Sequence, residues 1–305
     1  FQIGIEQLGI VQGQALWCLQ ILALAVLAYA LLLANSVKQA AWQAWLFSTA
    51  WMVGSIWWLY ISMHTYGGLP AWLAAFAVLL LAGLLSLFYT LVSMLFRHVA
   101  AVNTAYTAII FAACWLLAEL ARGTWLTGLP WGAVGYAHVD GPLSGLAAYL
   151  GVYGMSFVAA FFAMLLVQLW RKPNGISSPT RKSLLNQSMI VTMLIAATYL
   201  YSKTEPSATY AHSAPLQVTL LQGNIPQNEN FIPGSGVATA LSWYQEQLLK
   251  TSNRLVVAPE TALPLRMAQL EPNYWKSITD HFNQAGSQQA ALIGLVGSRS
   301  DGYTN

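Results

Sequence analysis

Long apolar stretches dominate the first two thirds of the chain. Single charges and short turn-forming segments, such as HTYGGLP at residues 64–70, interrupt them. A helix that crosses a bilayer needs about 20 mainly apolar residues, and Gly and Pro favour turns between helices. The pattern therefore predicts six membrane-spanning helices, at about residues 14–34, 40–62, 71–95, 103–121, 144–170 and 184–202.

The pattern of apolar positions changes after residue 202. Short aliphatic and β-branched runs there predict buried strands, and apolar residues at helical spacing predict two helices between them. The predicted strands are at 216–222, 254–260 and 290–298, and the predicted helices at 237–252 and 271–285. This alternation is typical of parallel βαβ units. Three strands leave an open sheet edge, so we expect this α/β domain to be incomplete.

Composition and charge sharpen the division. The chain is 57% hydrophobic and only 8% charged, whereas about 25% of the residues of a soluble domain are charged. Residues 1–202 contain 10 charged residues and residues 203–305 contain 13. An ordinary cytosolic globule is excluded. The scattered Lys and Arg form no basic face, so we expect no nucleic-acid partner. We expect a membrane domain over 1–202 and a polar domain over 203–305.

The basic residues of the connecting loops are distributed asymmetrically. Three loops on one side of the predicted bundle contain six Lys and Arg, and the two loops on the other side contain only Arg122. These loops are 35–39, 96–102 and 171–183 on the first side, and 63–70 and 122–143 on the second. Basic loops remain in the cytoplasm. The bias therefore predicts that residues 203–305 lie outside the cytoplasm.

One carboxylate stands out in the polar domain. Glu260 ends the strand run RLVVAPE, at the carboxyl edge where open α/β sheets place their sites. We interpret it as a candidate general base in a desolvated setting. The alternative is an ordinary acidic residue that opens a loop.

The candidates in the membrane domain also have two interpretations each. Glu119 and Arg122 are three residues apart near the outer end of the fourth span, where they contact a lipid headgroup or form an ion pair with each other. Trp131 lines a lipid access path or belongs to an interfacial aromatic belt. His138 is predicted to be a solvated loop residue. Cys18 and Cys114 are predicted to be buried packing residues, and we expect no disulfide framework and no metal site.

Several ordered motifs resemble those of the apolipoprotein N-acyltransferases. The membrane signature of that family is similar to ELARGTWLTGLPWGAVGYAHVDGPLSGLAAYLGVYGMSF at 119–157, and its earlier loop to WWLYISMHTYGGLP at 57–70. The start of its nitrilase-like domain resembles VTLLQGNIPQ at 218–227 and VVAPETALP at 256–264. Matching positions in the signature are Glu119, Arg122, Gly123, Thr127, Gly128, Pro130, Trp131, Gly135 and Tyr136. The implied fold is a multi-pass α-helical membrane bundle followed by the start of a nitrilase-like α/β domain.

This resemblance also implies an activity. In the family, a Cys thiolate takes an acyl chain from a membrane phospholipid, and the α-amine of a diacylated apolipoprotein cysteine attacks the thioester. The implied location is the bacterial inner membrane, with the α/β domain in the periplasm. Glu260 matches the family's general base, and no cofactor is expected. Candidate substrate-binding residues are Trp131, Glu119, Arg122, Phe231, where the family often has Trp, and Asn305, which matches a family Asn.

The family's nucleophilic Cys and the Lys that stabilises its oxyanion have no match in this sequence. We expect both after Asn305 and the family's first membrane helix before Phe1, so that the chain is truncated at both ends and inactive alone. Cys18 and Cys114 are remote in sequence from the sheet. The alternative function is a non-catalytic membrane module that binds lipid or lipoprotein. A soluble amidase fused to an anchor does not explain six spans.

Overall fold

The computed structural model divides into two compact units, Phe1–Pro206 and Ser207–Asn305, each with its own hydrophobic core. The residues it describes are 15–100, 106–170, 185–186, 189, 192–193, 196, 199–200, 215–226, 229, 232, 234–284, 288–299 and 302–304. The predicted span at 184–202 lies mostly outside them, as do Phe231 and Asn305.

Six α-helices of the first unit lie entirely among its described residues. They are α1 (Trp17–Leu33), α2 (Val37–Ile56), α3 (Trp58–Ile61), α4 (Ala71–Ala100), α5 (Thr107–Thr124) and α6 (Ala147–Trp170). A π-helical turn, Ser62–Tyr66, continues α3. Three 3-10 turns lie between the last two helices: Trp125–Thr127, Val134–His138 and Ser144–Leu146. The unit is therefore a helical bundle, as its apolar pattern predicts.

Three stretches are long and apolar enough to cross a membrane: Ala71–Val99, Thr107–Thr127 and Ser144–Trp170. A fourth is possible if the bent pair of α2 and Trp58–Tyr66 forms one span. Among the described residues the count is thus three or four, below the five that the pattern predicts there. The first helix accounts for the difference, because its 17 residues fall short of the roughly 20 that a span needs.

The helix predicted at 40–62 is bent. Its two parts meet at an angle of 51°, at Trp57 between α2 and α3. Gly-Ser pairs and π-helical segments are recognised causes of sharp helix bends, and Gly54 and Ser55 lie just before the bend. The Ser55 hydroxyl donates a hydrogen bond back to the Trp51 carbonyl at 3.0 Å, which also bends helices.

The helices pack through small residues. α4 contacts α2 and α5, while α6 contacts α1 and α5. Ala40, Ala44 and Ala82 are fully buried at these contacts, because small side chains let helix backbones approach closely. Gly123, near the end of α5, faces α6 so closely that a Cβ there would collide with the Tyr153 hydroxyl.

Two helices and six short strands make up the described part of the second unit. The helices are α7 (Gly236–Lys250) and α8 (Pro272–Phe282). The strands are β1 (Val218–Leu220), β2 (Leu255–Val257), β3 (Leu263–Arg266), β4 (Ala290–Leu292), β5 (Leu295–Arg299) and β6 (Gly302–Thr304). β1, β2 and β4 form one sheet in that order, and both pairings are parallel. The predicted three-stranded parallel sheet is confirmed.

The last predicted strand, 290–298, is wrong as one element. It divides at Ile293 and Gly294 into β4 and β5, and β5 joins a second sheet between β3 and β6. The division occurs where the chain passes against the turn after β2: a Cβ on Gly294 would lie 2.8 Å from both Glu260 Cα and Thr261 N. The sequence pattern missed β3 because Pro264 interrupts it, and Pro argues against a central strand.

Candidate functional site

Glu260 lies on the rim of a cavity at the carboxyl edge of the parallel sheet. The cavity has a volume of about 220 Å³ and is lined by residues 222–225, Tyr244 and residues 259–261. The sheet creates this arrangement, because β1 and β2 are parallel and both end at the same edge. Leu221 N donates to the Val257 carbonyl at 2.8 Å. Beyond that bond, the two segments that line the cavity diverge.

Two residues that line the cavity have strained backbones. Asn224 has a φ of 49° and Thr261 a φ of 56°. Asn tolerates this left-handed conformation, but it is an outlier for a β-branched residue such as Thr. Such strain is concentrated at functional sites. The immediate neighbours of Glu260 therefore support a functional interpretation of this turn.

Polar side chains hold the facing loop. The Gln222 amide donates to Asn224 Oδ1 at 2.9 Å, and Gly223 N donates to the Tyr244 hydroxyl at 3.2 Å. Sequence analysis did not assign these residues to the site. The signal was present, because the Gln-Gly-Asn segment follows the first strand and therefore reaches the same sheet edge as Glu260.

The expected desolvation of Glu260 is not found. The residue is exposed, because it lies in a turn beyond the last residue of β2 and outside the buried ladder. Its position at the sheet edge agrees with the sequence analysis. An exposed carboxylate beside a cavity is accessible to a reacting group.

Glu119 in the first unit is completely buried, with 0% of its surface exposed. Its Oε1 accepts hydrogen bonds from Trp115 Nε1 at 3.1 Å and from Val134 N at 2.8 Å. The Ser156 hydroxyl is within hydrogen-bonding reach of both this carboxylate and the Val152 carbonyl, the latter at 3.2 Å. The headgroup contact expected for Glu119 is wrong, since no headgroup reaches a side chain without exposed surface.

Arg122 is likewise buried, with 1% exposed. Its Nε donates to the Tyr89 hydroxyl at 3.1 Å, and its Nη1 donates to the carbonyls of Leu129 and Trp131. Arg122 and Glu119 make no salt bridge with each other, although both are fully described. The headgroup contact and the direct salt bridge are therefore not found: each side chain binds the backbone of the segment after α5, and the two attract each other electrostatically without a salt bridge.

Trp131 is exposed over 54% of its surface. Its ring contacts Trp58 edge to face, with the ring centroids 5.8 Å apart. Trp125 and Tyr136 are exposed nearby in the chain. This exposure agrees with both interpretations of Trp131, the lipid access path and the interfacial belt.

His138 and Cys18 differ from their predicted settings. His138 is fully buried, and its Nε2 lies 2.7 Å from Gln20 Oε1. Burial lowers the pKa of His138 to about 4. The sequence gives no signal for this pair, because its members are 118 positions apart. Cys18 is exposed near the beginning of α1, whereas Cys114 is buried as predicted.

Comparison with known proteins identifies relatives of one kind. The family described as apolipoprotein N-acyltransferase N-terminal domain matches residues 9–165. The apolipoprotein N-acyltransferase of Verminephrobacter eiseniae is 46% identical over 300 residues, which are 96% of this chain and 55% of that protein. The corresponding protein of Ralstonia nicotianae is 37% identical over 293 residues, covering 95% of this chain and 53% of its own length.

The similarity extends to more distant relatives. The apolipoprotein N-acyltransferase of Nitrosomonas europaea is 31% identical over 313 aligned residues, which cover all of this chain and 59% of that protein. This chain spans about half the length of the curated relatives that it matches. The family match covers α1 to α5 and most of α6, and the relatives match nearly the whole chain. The chain belongs to the apolipoprotein N-acyltransferase family.

Proposed function

We propose that this chain supplies the membrane domain and the first part of the catalytic domain of an enzyme that N-acylates apolipoproteins. The acyl donor is a membrane phospholipid, and the acceptor is the α-amine of a diacylglyceryl-modified cysteine. Membership of the family supports the reaction. The apolar helices support a membrane location, which we assign to the bacterial inner membrane, with residues 203–305 in the periplasm and built as the start of a nitrilase-like domain.

The observation that carries the catalytic part is the position of Glu260. It combines an accessible carboxylate, a cavity and a strained turn at the carboxyl edge of a parallel sheet. A carboxylate in this position is suited to proton transfer with a group that occupies the cavity. In the thioester route, it takes the proton of the attacking thiol and passes it to the lysophospholipid oxygen that leaves when the ester bond breaks. In the second half-reaction it takes the proton of the attacking amine and passes it to the thiolate that leaves when the thioester bond breaks.

The test uses the complete product of the gene that encodes this chain, purified in detergent. Given phospholipid and a diacylated lipopeptide, the Glu260→Gln variant should form triacylated product on the order of 100-fold more slowly. Glu271→Gln is the matched control, because Glu271 is another exposed carboxylate of the same unit. Unchanged turnover in Glu260→Gln, or an equal loss in the control, would remove Glu260 from the mechanism.

The alternative is a non-catalytic module that binds lipid or lipoprotein. It needs only the apolar helices of the first unit. A phospholipid with an alkyne-tagged acyl chain distinguishes the two functions. A hydroxylamine-sensitive acyl label on the complete gene product supports the enzyme, whereas phospholipid binding without covalent label supports the module.

A further inference from the structure

Two buried side chains from one turn of α5, Glu119 and Arg122, bind the segment between α5 and α6. Arg122 binds its first half, through the carbonyls of Leu129 and Trp131. The Arg122 carbonyl also accepts from Leu129 N at 2.8 Å. Glu119 binds the second half, where its Oε1 accepts from Val134 N. Residues 129–134, here called the clamped loop, are therefore fixed at both ends by α5.

Further hydrogen bonds attach the same region to the other helices. The indole of Trp51, in α2, donates to the Gly132 carbonyl at 3.1 Å. The hydroxyl of Ser156, in α6, accepts from Gly135 N at 2.8 Å. Within this framework the Trp131 indole is still half exposed. The backbone of the clamped loop is therefore fixed, while the Trp131 ring remains partly on the surface.

Burying these two ionisable side chains costs free energy. Each buried charge loses several kcal/mol of hydration, and the electrostatic attraction between Glu119 and Arg122 acts without a direct salt bridge. Glu119 Oε2 and Arg122 Nη2 also have no hydrogen-bond partner among the described atoms. Ionisable side chains at membrane depth generally mark a functional site. Apart from their bonds to Trp115 and Tyr89, the two side chains bind backbone groups of the clamped loop.

We propose that Glu119 and Arg122 are positioning residues for acyl transfer, which hold the clamped loop so that the Trp131 indole contacts the acyl chain of the phospholipid substrate. The inference rests on the proposed function for the identity of the substrate. The residues act through backbone groups and do not touch the lipid. They therefore act through hydrogen bonds: the guanidinium of Arg122 donates, and the carboxylate oxygen of Glu119 accepts.

The first test measures the loop alone, by ¹⁹F NMR of the 305-residue chain labelled with 5-fluorotryptophan in detergent. Trp131→Phe assigns the line of Trp131. Arg122→Lys should shift or broaden that line, because a single ammonium group cannot replace the planar guanidinium, which binds the Tyr89 hydroxyl through Nε and two loop carbonyls through Nη1. Ser86→Ala is the matched control: it removes a buried hydrogen bond to the Ala82 carbonyl within α4 and should leave the line unchanged.

A second pair of variants decides the matter if Arg122→Lys does not fold. Glu119→Ala should shift the line, whereas Glu119→Gln should keep it in place. The Gln oxygen still accepts from Trp115 and Val134, and its amide replaces an oxygen that has no partner. An unmoved line in folded Glu119→Ala, or an equal shift in Glu119→Gln, would overturn the proposal.

The second test measures phospholipid kinetics with the complete gene product. Arg122→Lys should raise the KM for phospholipid roughly tenfold and leave kcat within about twofold, because a misplaced binding group weakens substrate binding. A moved Trp131 line with an unchanged KM would overturn the role in substrate presentation. Glu260→Gln lowers kcat instead, so failure of the catalytic proposal is distinguishable from failure of this one.

Discussion

Gly294 lies against the backbone of the turn that carries Glu260. The variant Gly294→Ala tests whether the turn depends on this close contact. The new Cβ would lie 2.8 Å from both Glu260 Cα and Thr261 N, and closer still to the Pro259 carbonyl oxygen. An ordinary contact begins at about 3.4 Å, so the two segments must separate by about 1 Å. The atoms in the way belong to the backbone, which cannot rotate aside as a flexible side chain would.

The cost follows from the hydrogen bonds that flank this contact. Ala258 N donates to the Leu292 carbonyl at 2.9 Å, and Leu263 N donates to the Gly294 carbonyl at 3.2 Å. Weakening both costs about 2 kcal/mol, at about 1 kcal/mol each. The lower entropy of the unfolded chain with Ala offsets about 0.5 kcal/mol. We expect local opening of the turn to become easier by about 1.5 kcal/mol, or roughly tenfold.

Hydrogen exchange measured by mass spectrometry detects this change directly. Peptides that contain Ala258 and Leu263 should exchange roughly tenfold faster in Gly294→Ala, since exchange reports local opening. Leu292→Ala is the control, because that side chain is exposed and its loss leaves the backbone bonds intact. Unchanged protection in a folded Gly294→Ala variant, or equal loss in the control, would refute the steric argument.

Three further predictions concern the first unit. Below pH 6.5 an unfolded chain protonates its histidines, whereas buried His138 resists protonation to about pH 4. The free energy of unfolding should therefore fall by up to about 3 kcal/mol as the pH decreases from 6.5 to 4. In thermal unfolding measured in detergent, His138→Gln should make the stability less dependent on pH over this range. A reporter active only outside the cytoplasm should be active when fused at Lys203 and inactive at Gly175, and the reverse result would contradict the orientation. Ser36→Ala removes the cap bond to Gln39 N and should lower the free energy of unfolding by about 1 kcal/mol, measured by urea titration.

Periodicity was sufficient to predict the parallel strands but not their burial, because β1 and β4 are largely exposed rather than buried. The parallel order of β1, β2 and β4 followed from three apolar runs separated by helical spacing. β3 was missed because Pro264 breaks the run, although Pro is tolerated at irregular positions of a sheet. The break between β4 and β5 was missed because it depends on the approach of Gly294 to a distant turn. Patterns predict elements, but contacts between distant segments decide where the elements end.

The candidate sites show the same limit. The position of Glu260 at the sheet edge was predicted because the carboxyl end of a strand can be read from the chain, and its catalytic role stays a prediction. The burial of Glu119 and Arg122 was not, because their partners include Tyr89, 33 positions from Arg122, and carbonyl groups of a loop. Spacing alone favoured an ion pair between them. Backbone acceptors are present at every residue, so no sequence pattern identifies the ones that a buried Arg will bind.

The collision predicted between a Cβ at position 123 and the Tyr153 hydroxyl couples the evolution of two helices. A side chain added at 123 is accommodated if the Tyr153 ring rotates aside, if position 153 loses its phenol, or if the helices move apart. The two positions are therefore expected to vary together among related chains. A lineage that carries Ala or Ser at 123 should carry a shorter or reoriented side chain at 153.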